Sequence, residues 1–201
     1  INTGLFCILN GATIENLVID GSSRFSGLSS GALAAQAIGS FFINNVTSRA
    51  TVDGYLGGGL VGYLAISKFQ VASITESRVE GQILSSYESG YLGGFIGTAQ
   101  GCENLTIEMT NNAFAGTMQT NSNNFYLGGF FGAALECPGF SLNINHCESK
   151  GSAESVCASE YTGGFFGLIV DSLYSRIRIT ESQSNFSISS RGGTRETLSC
   201  M

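Results

Sequence analysis

Four glycine-centred pentapeptides, GGLVG at 58–62, GGFIG at 93–97, GGFFG at 128–132 and GGFFG at 163–167, recur at a constant step of 35 residues. An uninterrupted period in this range marks a stack of units, each too small to bury its own apolar face and therefore buried against its neighbours. The pattern continues upstream in shorter form. Gly4-Leu5-Phe6 and Gly31-Ala32-Leu33 align with Gly59-Leu60-Val61 at steps of 27 and 28 residues. The spacing predicts one elongated domain over residues 1–201, with shorter coils at 1–57, regular coils at 58–190 and a polar capping or joining tail at 191–201, about six coils in all.

Within one repeat the sequence reads as three strand-like pieces, LGGFIGTA at 92–99, LTIEMT at 105–110 and AFAGTMQT at 113–120, each bounded by Gly, Asn or Ser. Leu105, Ile107 and Met109 alternate with Thr106, Glu108 and Thr110, the period-two pattern of a half-buried strand. The same columns hold Phe140, Leu142 and Ile144 one repeat later, and Ile83, Met118, Ala153 and Ile188 form another inward column. With 28 glycines, a single proline and few strong helix formers, the expected fold is all-β. Columns repeated coil after coil predict a right-handed parallel β-helix, a β-solenoid, the hand following from the preference of parallel crossovers. Residues added in the longer coils are expected mainly just before the glycine pair, as in 120–125 and 155–160.

A net charge of −6, a pI near 4.7 and scattered basic residues exclude the electrostatic footprint of a nucleic-acid binder and disfavour anionic membrane surfaces. No run approaches the length of a membrane span, so membrane insertion is not expected. The chain opens at Ile1 without an initiator Met or a charged-then-apolar leader, which points to a processed product or a fragment. Six cysteines without a metal-type CxxC pair read as disulfide formers. Cys102 and Cys137 stand one full coil apart, a separation that places their backbones within disulfide range. Cys147 and Cys157 fall within one coil and either close a local loop or remain buried thiols. Cys7 and Cys200 lie near opposite ends of the rod, which suggests a bond between subunits. Sequons at Asn45, Asn104 and Asn185 fit a glycosylated chain on the outside of the cell or secreted from it.

The four pentapeptides resemble the GLUG motif, a short glycine-aromatic or glycine-leucine repeat of bacterial and some eukaryotic surface and secreted proteins, including adhesin-like stalks. The resemblance spans the repeats from about residue 4 to 190 and implies an extracellular solenoid. It transfers no catalytic residue, because the motif is structural. The N-terminal coils depart from it, with Cys7 after Gly4-Leu5-Phe6 and Ala34 after Gly31-Ala32-Leu33.

Candidates for chemistry are sparse. Tyr91, Tyr126 and Tyr161 share a column beside the polar loops, with Tyr55 one residue out of step, and read either as a ligand-binding strip or as stacked aromatics closing a corner. His146 is the only histidine and occupies a column that elsewhere holds Asn45, Glu76, Asn111 and Glu181, which describes a turn position; no imidazole cluster exists for a metal. Glu76 and Glu181 stand three coils apart, too far for a glycosidase pair. Asp20 and Asp53 each precede a glycine, as turn carboxylates do. No cofactor is implied and no enzymatic activity is expected. An open solenoid end must be capped, continued or paired, so end-to-end self-association is expected. The chain is expected to be an extracellular structural or adhesive element, in a filament or a stalk, with a carbohydrate-binding module touching glycans or a host surface as the alternative and a polysaccharide-degrading enzyme as a weaker one.

Overall fold

The glycine pairs are corners because the volume that side chains would need is already filled. In the computed structural model, which describes residues 1–65, 68, 70–121, 125–155 and 161–190, a Cβ at Gly93 would lie 1.8 Å from the carbonyl oxygen of Ile96, and one at Gly94 would lie 1.9 Å from that of Gly129. Neither glycine has positive φ; the requirement is close approach, not backbone hand. The chain therefore bends between Gly93 and Ile96. The piece 92–99, expected as one strand, is two: Gly90–Gly93 in one sheet and Ile96–Gln100 in another. The piece 113–120 divides likewise into Ala113–Phe114 and Thr117–Thr120 on different sheets.

The fold is an all-β solenoid of three sheets with parallel, in-register rungs. We call the ten-stranded sheet containing Gly90–Gly93 sheet A, the six-stranded one containing Ile96–Gln100 sheet B, and the ten-stranded one containing Thr106–Thr110 sheet C. Sheet B takes one strand from each pass of the chain, in the order Phe6–Leu9, Ala34–Ala37, Val61–Leu64, Ile96–Gln100, Phe131–Leu135 and Phe166–Val170. Regular coils make up about four turns; the expected six are reached only by including the two shorter N-terminal passes.

The register shows how a short coil becomes a long one. Ala34 pairs with Val61, Phe41 with Ala72, and Leu56 with Tyr91, so the offset grows from 27 to 31 to 35. Four residues are added between Leu64 and Val71 and four more between Ser85 and Gly90. Only the second insertion lies before the glycine pair, so the expectation of one main site is half right. In the early coils Thr51–Gly58 runs straight through a corner, and it pairs onward with both Gln82–Ser85 and Gly90–Gly93. Sheet A thus forks at that strand, and sheet C forks in the same way at Phe41–Ser48.

Inside, Phe95 and Phe130 stack with centroids 4.8 Å apart, and Phe130 meets Phe165 at 5.5 Å. In the middle of the stack sheet B is buried on both faces: Ile96, Gly97, Thr98 and Ala99 are all enclosed. A Cβ at Gly132 would come within 2.9 Å of the Leu92 backbone, so glycine is what lets sheet B lie directly against sheet A. Its large residues pack the other way, where Phe131 stacks on Phe140 at 5.6 Å at the entry to sheet C. The inward columns Leu105, Ile107, Met109 and Ile83, Met118, Ala153 are buried as the alternation implies, whereas Ile188, on the last described rung, is half exposed.

Candidate functional site

Sheet A presents the tyrosines. Tyr91 pairs in register with Tyr126, and Tyr126 with Tyr161. Their rings stack with centroids at 4.9 Å and 5.4 Å and interplanar angles of 14° and 8°. Tyr55 lies opposite Gly90, outside the column, and meets Tyr91 edge-on at 6.0 Å. Tyr87, which sequence reasoning missed, also meets Tyr55 edge-on at 6.2 Å from within the second four-residue insertion. Its place four residues before Tyr91, inside the added segment, was the available signal.

Burial raises the Tyr91 phenol above its ordinary pKa, with Tyr55 adding to the shift. The hydroxyl therefore stays neutral at physiological pH. Each ring in the stack covers its neighbour's face, so the strip offers outward mainly ring edges and hydroxyls, a row suited to hydrogen bonding more than to sugar stacking. Tyr161, 48% exposed on the last described rung, carries the most open ring of the three. The base of the adjoining loops continues inward as hydroxyls, with Thr120 Oγ1 and Ser155 Oγ 3.2 Å apart; residues 122–124 and 156–160 lie outside the described part. Truncating the central ring breaks both stacks, and Tyr126→Ala should cost about 2 kcal/mol. Urea unfolding followed by circular dichroism checks this; a midpoint unchanged from that of the parent would show that the stack adds nothing.

The cysteines occupy corner ladders. One runs Cys102, Cys137, Ser172. In it Cys137 Sγ accepts the Cys102 N–H at 3.4 Å and Ser172 Oγ accepts the Cys137 N–H at 3.0 Å. Each of these side chains also reaches back to the carbonyl two residues earlier, Cys137 to Leu135 at 3.2 Å and Ser172 to Val170 at 2.9 Å. The other ladder runs Ser77, Asn112, Cys147, Ser182. There Asn112 Oδ1 accepts the Ser77 N–H at 2.8 Å, Ser182 Oγ accepts the Cys147 N–H at 2.9 Å, and the Cys147 thiol donates to Asn145 O at 3.2 Å. Burial raises the Cys147 thiol pKa, while hydrogen bonds from Asn112 act against the shift. Small polar side chains of three kinds thus do the same work, satisfying backbone groups where the ladder of strand bonds is interrupted. Cys7 is exposed; Cys157 and Cys200 lie outside the described residues.

The residue ahead of the second ladder sits in the left-handed region in every coil: Asn16, Asn45, Glu76, Asn111, His146 and Glu181 have φ between 48° and 56°. Asparagine tolerates this conformation readily, and glutamate and histidine less so. His146 is accordingly the turn residue that its column implied. Its exposed ring pairs with Glu181 on the next coil, beside an open depression lined by Cys147, Glu148, Ser182 and Gln183. Three further ion pairs are local: Arg49 with Glu80 at 2.8 Å, Lys68 with Glu103 at 2.9 Å, and Lys150 with Glu148 at 2.7 Å. Lys150 and Gln183 hold the half-buried Glu148 carboxyl below its usual range. Asp20 is the expected turn carboxylate, accepting the Ser22 N–H at 2.8 Å, which lowers its pKa. Asp53 instead lies within the strand Thr51–Gly58, and its carboxylate accepts the Ser86 N–H and hydroxyl at 3.0 and 2.8 Å across the inserted corner. The sequon residues Asn45, Asn104 and Asn185 are all exposed, and Asn45 donates to Asn16 Oδ1 at 2.8 Å.

Among the described residues no group of three or more His, Cys, Asp or Glu side chains is arranged to hold a metal ion. Comparison with family profiles, with curated proteins and with solved structures returns no match for this chain.

Proposed function

We propose that this chain is a stiff extracellular spacer, a structural or adhesive β-solenoid forming part of a surface filament or stalk. The observation that carries the reading is the repeated stacking of Phe95 on Phe130 at the corner between sheets A and B and of Tyr91 on Tyr126 and Tyr161 on sheet A. Bending such a stack separates several aromatic and backbone contacts at once, which resists flexing along the axis. The GLUG resemblance and the three exposed sequons support placement outside the cell.

The outermost described rungs carry exposed apolar side chains, Phe6, Ile8 and Val18 at one end and Ile177, Ile179 and Ile188 at the other. Apolar strand edges at the limits of the described residues favour continuation by further coils or by a second copy. Negative-stain imaging of native material tests the whole reading. Rods or fibres of one-coil width are expected; isolated compact particles would overturn it. A carbohydrate-binding role for the tyrosine strip is the second reading, favoured by its regular row of phenol groups. Glycan-array binding that disappears in Tyr161→Ala would establish that role in its place.

A further inference from the structure

We propose that Cys102 and Cys137 are joined by a disulfide that links two successive coils at the corner between sheets B and C. The two cysteines follow, each by two residues, the paired positions Gln100 and Leu135. Rungs paired in this way stand about 4.8 Å apart, inside the range that a disulfide spans. Both side chains are fully enclosed, and Cys137 Sγ lies 3.4 Å from the Cys102 backbone nitrogen, whose N–H it accepts. Both are thiols in the structure, and closing the bond turns the Cys102 sulfur from the Leu64 and Ala65 carbonyls, 3.8 and 3.6 Å away, toward Cys137.

Capping this corner does not require sulfur. Ser172, one coil on, accepts the Cys137 N–H and donates to Val170 O with a hydroxyl alone. In the second ladder Cys147 stands between Asn112 and Ser182, so a cysteine there has no sulfur on the neighbouring rungs. Two sulfurs stacked on adjacent rungs add something that capping leaves unused, a covalent link between coils.

The chemistry is thiol–disulfide exchange with a small disulfide such as oxidised glutathione. The Cys137 thiolate attacks one glutathione sulfur, forming a mixed disulfide and expelling a glutathione thiolate. Cys102, deprotonated in turn, attacks Cys137 Sγ, closing the protein disulfide and expelling the second glutathione. Two protein thiols are oxidised, one glutathione disulfide is reduced to two thiols, and the two protons lost by the cysteines pass to the departing thiolates. The hydrogen bond from Cys102 lowers the Cys137 pKa to about 7, which favours Cys137 as the first attacker. Because both sulfurs are buried, exchange takes place as the corner closes, before the next coil covers it.

The test is peptide mapping of the native protein, alkylated at harvest and denatured without reductant. A linked Cys102–Cys137 peptide pair is expected. Alkylation of both residues, or a link from either to any other cysteine, overturns the proposal. A second readout separates bonding from capping. Reduction should lower Tm by roughly 5–10 °C in the parent, as loss of a cross-link closing a 35-residue loop implies. Cys137→Ser keeps the corner hydrogen bonds in the manner of Ser172, so it should fold and show no Tm response to reductant. An equal response in that variant counts against the proposal.

Discussion

Gly94→Ala should destabilise the solenoid by more than about 4 kcal/mol, beyond the range of most single substitutions. The new methyl would lie 1.9 Å from the carbonyl oxygen of Gly129 and 2.7 Å from the Phe114 ring. A ring can turn aside, but the carbonyl belongs to the neighbouring coil and cannot. Gly129 is itself confined, since its own Cβ position lies 1.9 Å from Gly164 O. Any shift that relieves the first clash passes to the next rung. Because a solenoid transmits stability through nearest neighbours, the coils on either side of the defect should uncouple. Urea unfolding should change from one transition to an earlier, broader one, and amide exchange should accelerate first around 90–100 and 125–131. Gly21→Ala is the control. Its nearest neighbours to a new Cβ are 3.6 Å away, so a shift within about 0.5 kcal/mol is expected. Equal stability of the Gly94→Ala and parent chains would show that the glycine pairs are not sterically required.

The features legible in the sequence are those that repeat at one spacing. The 35-residue step put Tyr91, Tyr126 and Tyr161 in one column, and the register pairs them as expected. It likewise placed His146 in a turn column, where every member adopts left-handed backbone. What stayed hidden depends on contacts between coils. GGFIG reads as part of an apolar strand until the Ile96 and Gly129 carbonyls are seen to occupy the space beside Gly93 and Gly94. The insertion before sheet C was obscured because no glycine signature marks it; only the change of offset between Ala34–Val61 and Phe41–Ala72 reveals it. In the sequence the cysteines read as disulfide partners or buried thiols, yet their columns contain Ser77, Asn112, Ser172 and Ser182 doing the same hydrogen-bonding work. Asp53 looked like a turn residue because a glycine follows it, but its partner, Ser86, lies in the next coil.

Phe114→Ala should cost about 3–5 kcal/mol, at the upper end for deletion of a buried ring. Phe114 is fully enclosed, and its register partners are Val79 on one side and Ser149 on the other, followed by Ser184. It is therefore the one large side chain in its register column, with glycines around it and the Phe186 ring 6.1 Å away. Cβ atoms at Gly94, Gly116 and Gly151 would lie 2.7, 3.1 and 2.3 Å from its ring. Deleting the ring leaves a cavity walled on its glycine sides by backbone whose spacing is set by the strand bonds, so those sides cannot collapse and most of the cavity penalty is retained. Phe114→Leu, which keeps most of the volume, should lose less than half as much. The double variant Gly94→Ala, Phe114→Ala tests both arguments together. Removing the ring relieves the 2.7 Å contact but leaves the Gly129 carbonyl at 1.9 Å. The double variant should therefore remain less stable than Phe114→Ala alone, with a coupling of roughly 1 kcal/mol where the two contacts overlap. Recovery to the level of Phe114→Ala would instead assign the glycine requirement to the aromatic ring, making the corner a matter of side-chain packing and not of backbone approach.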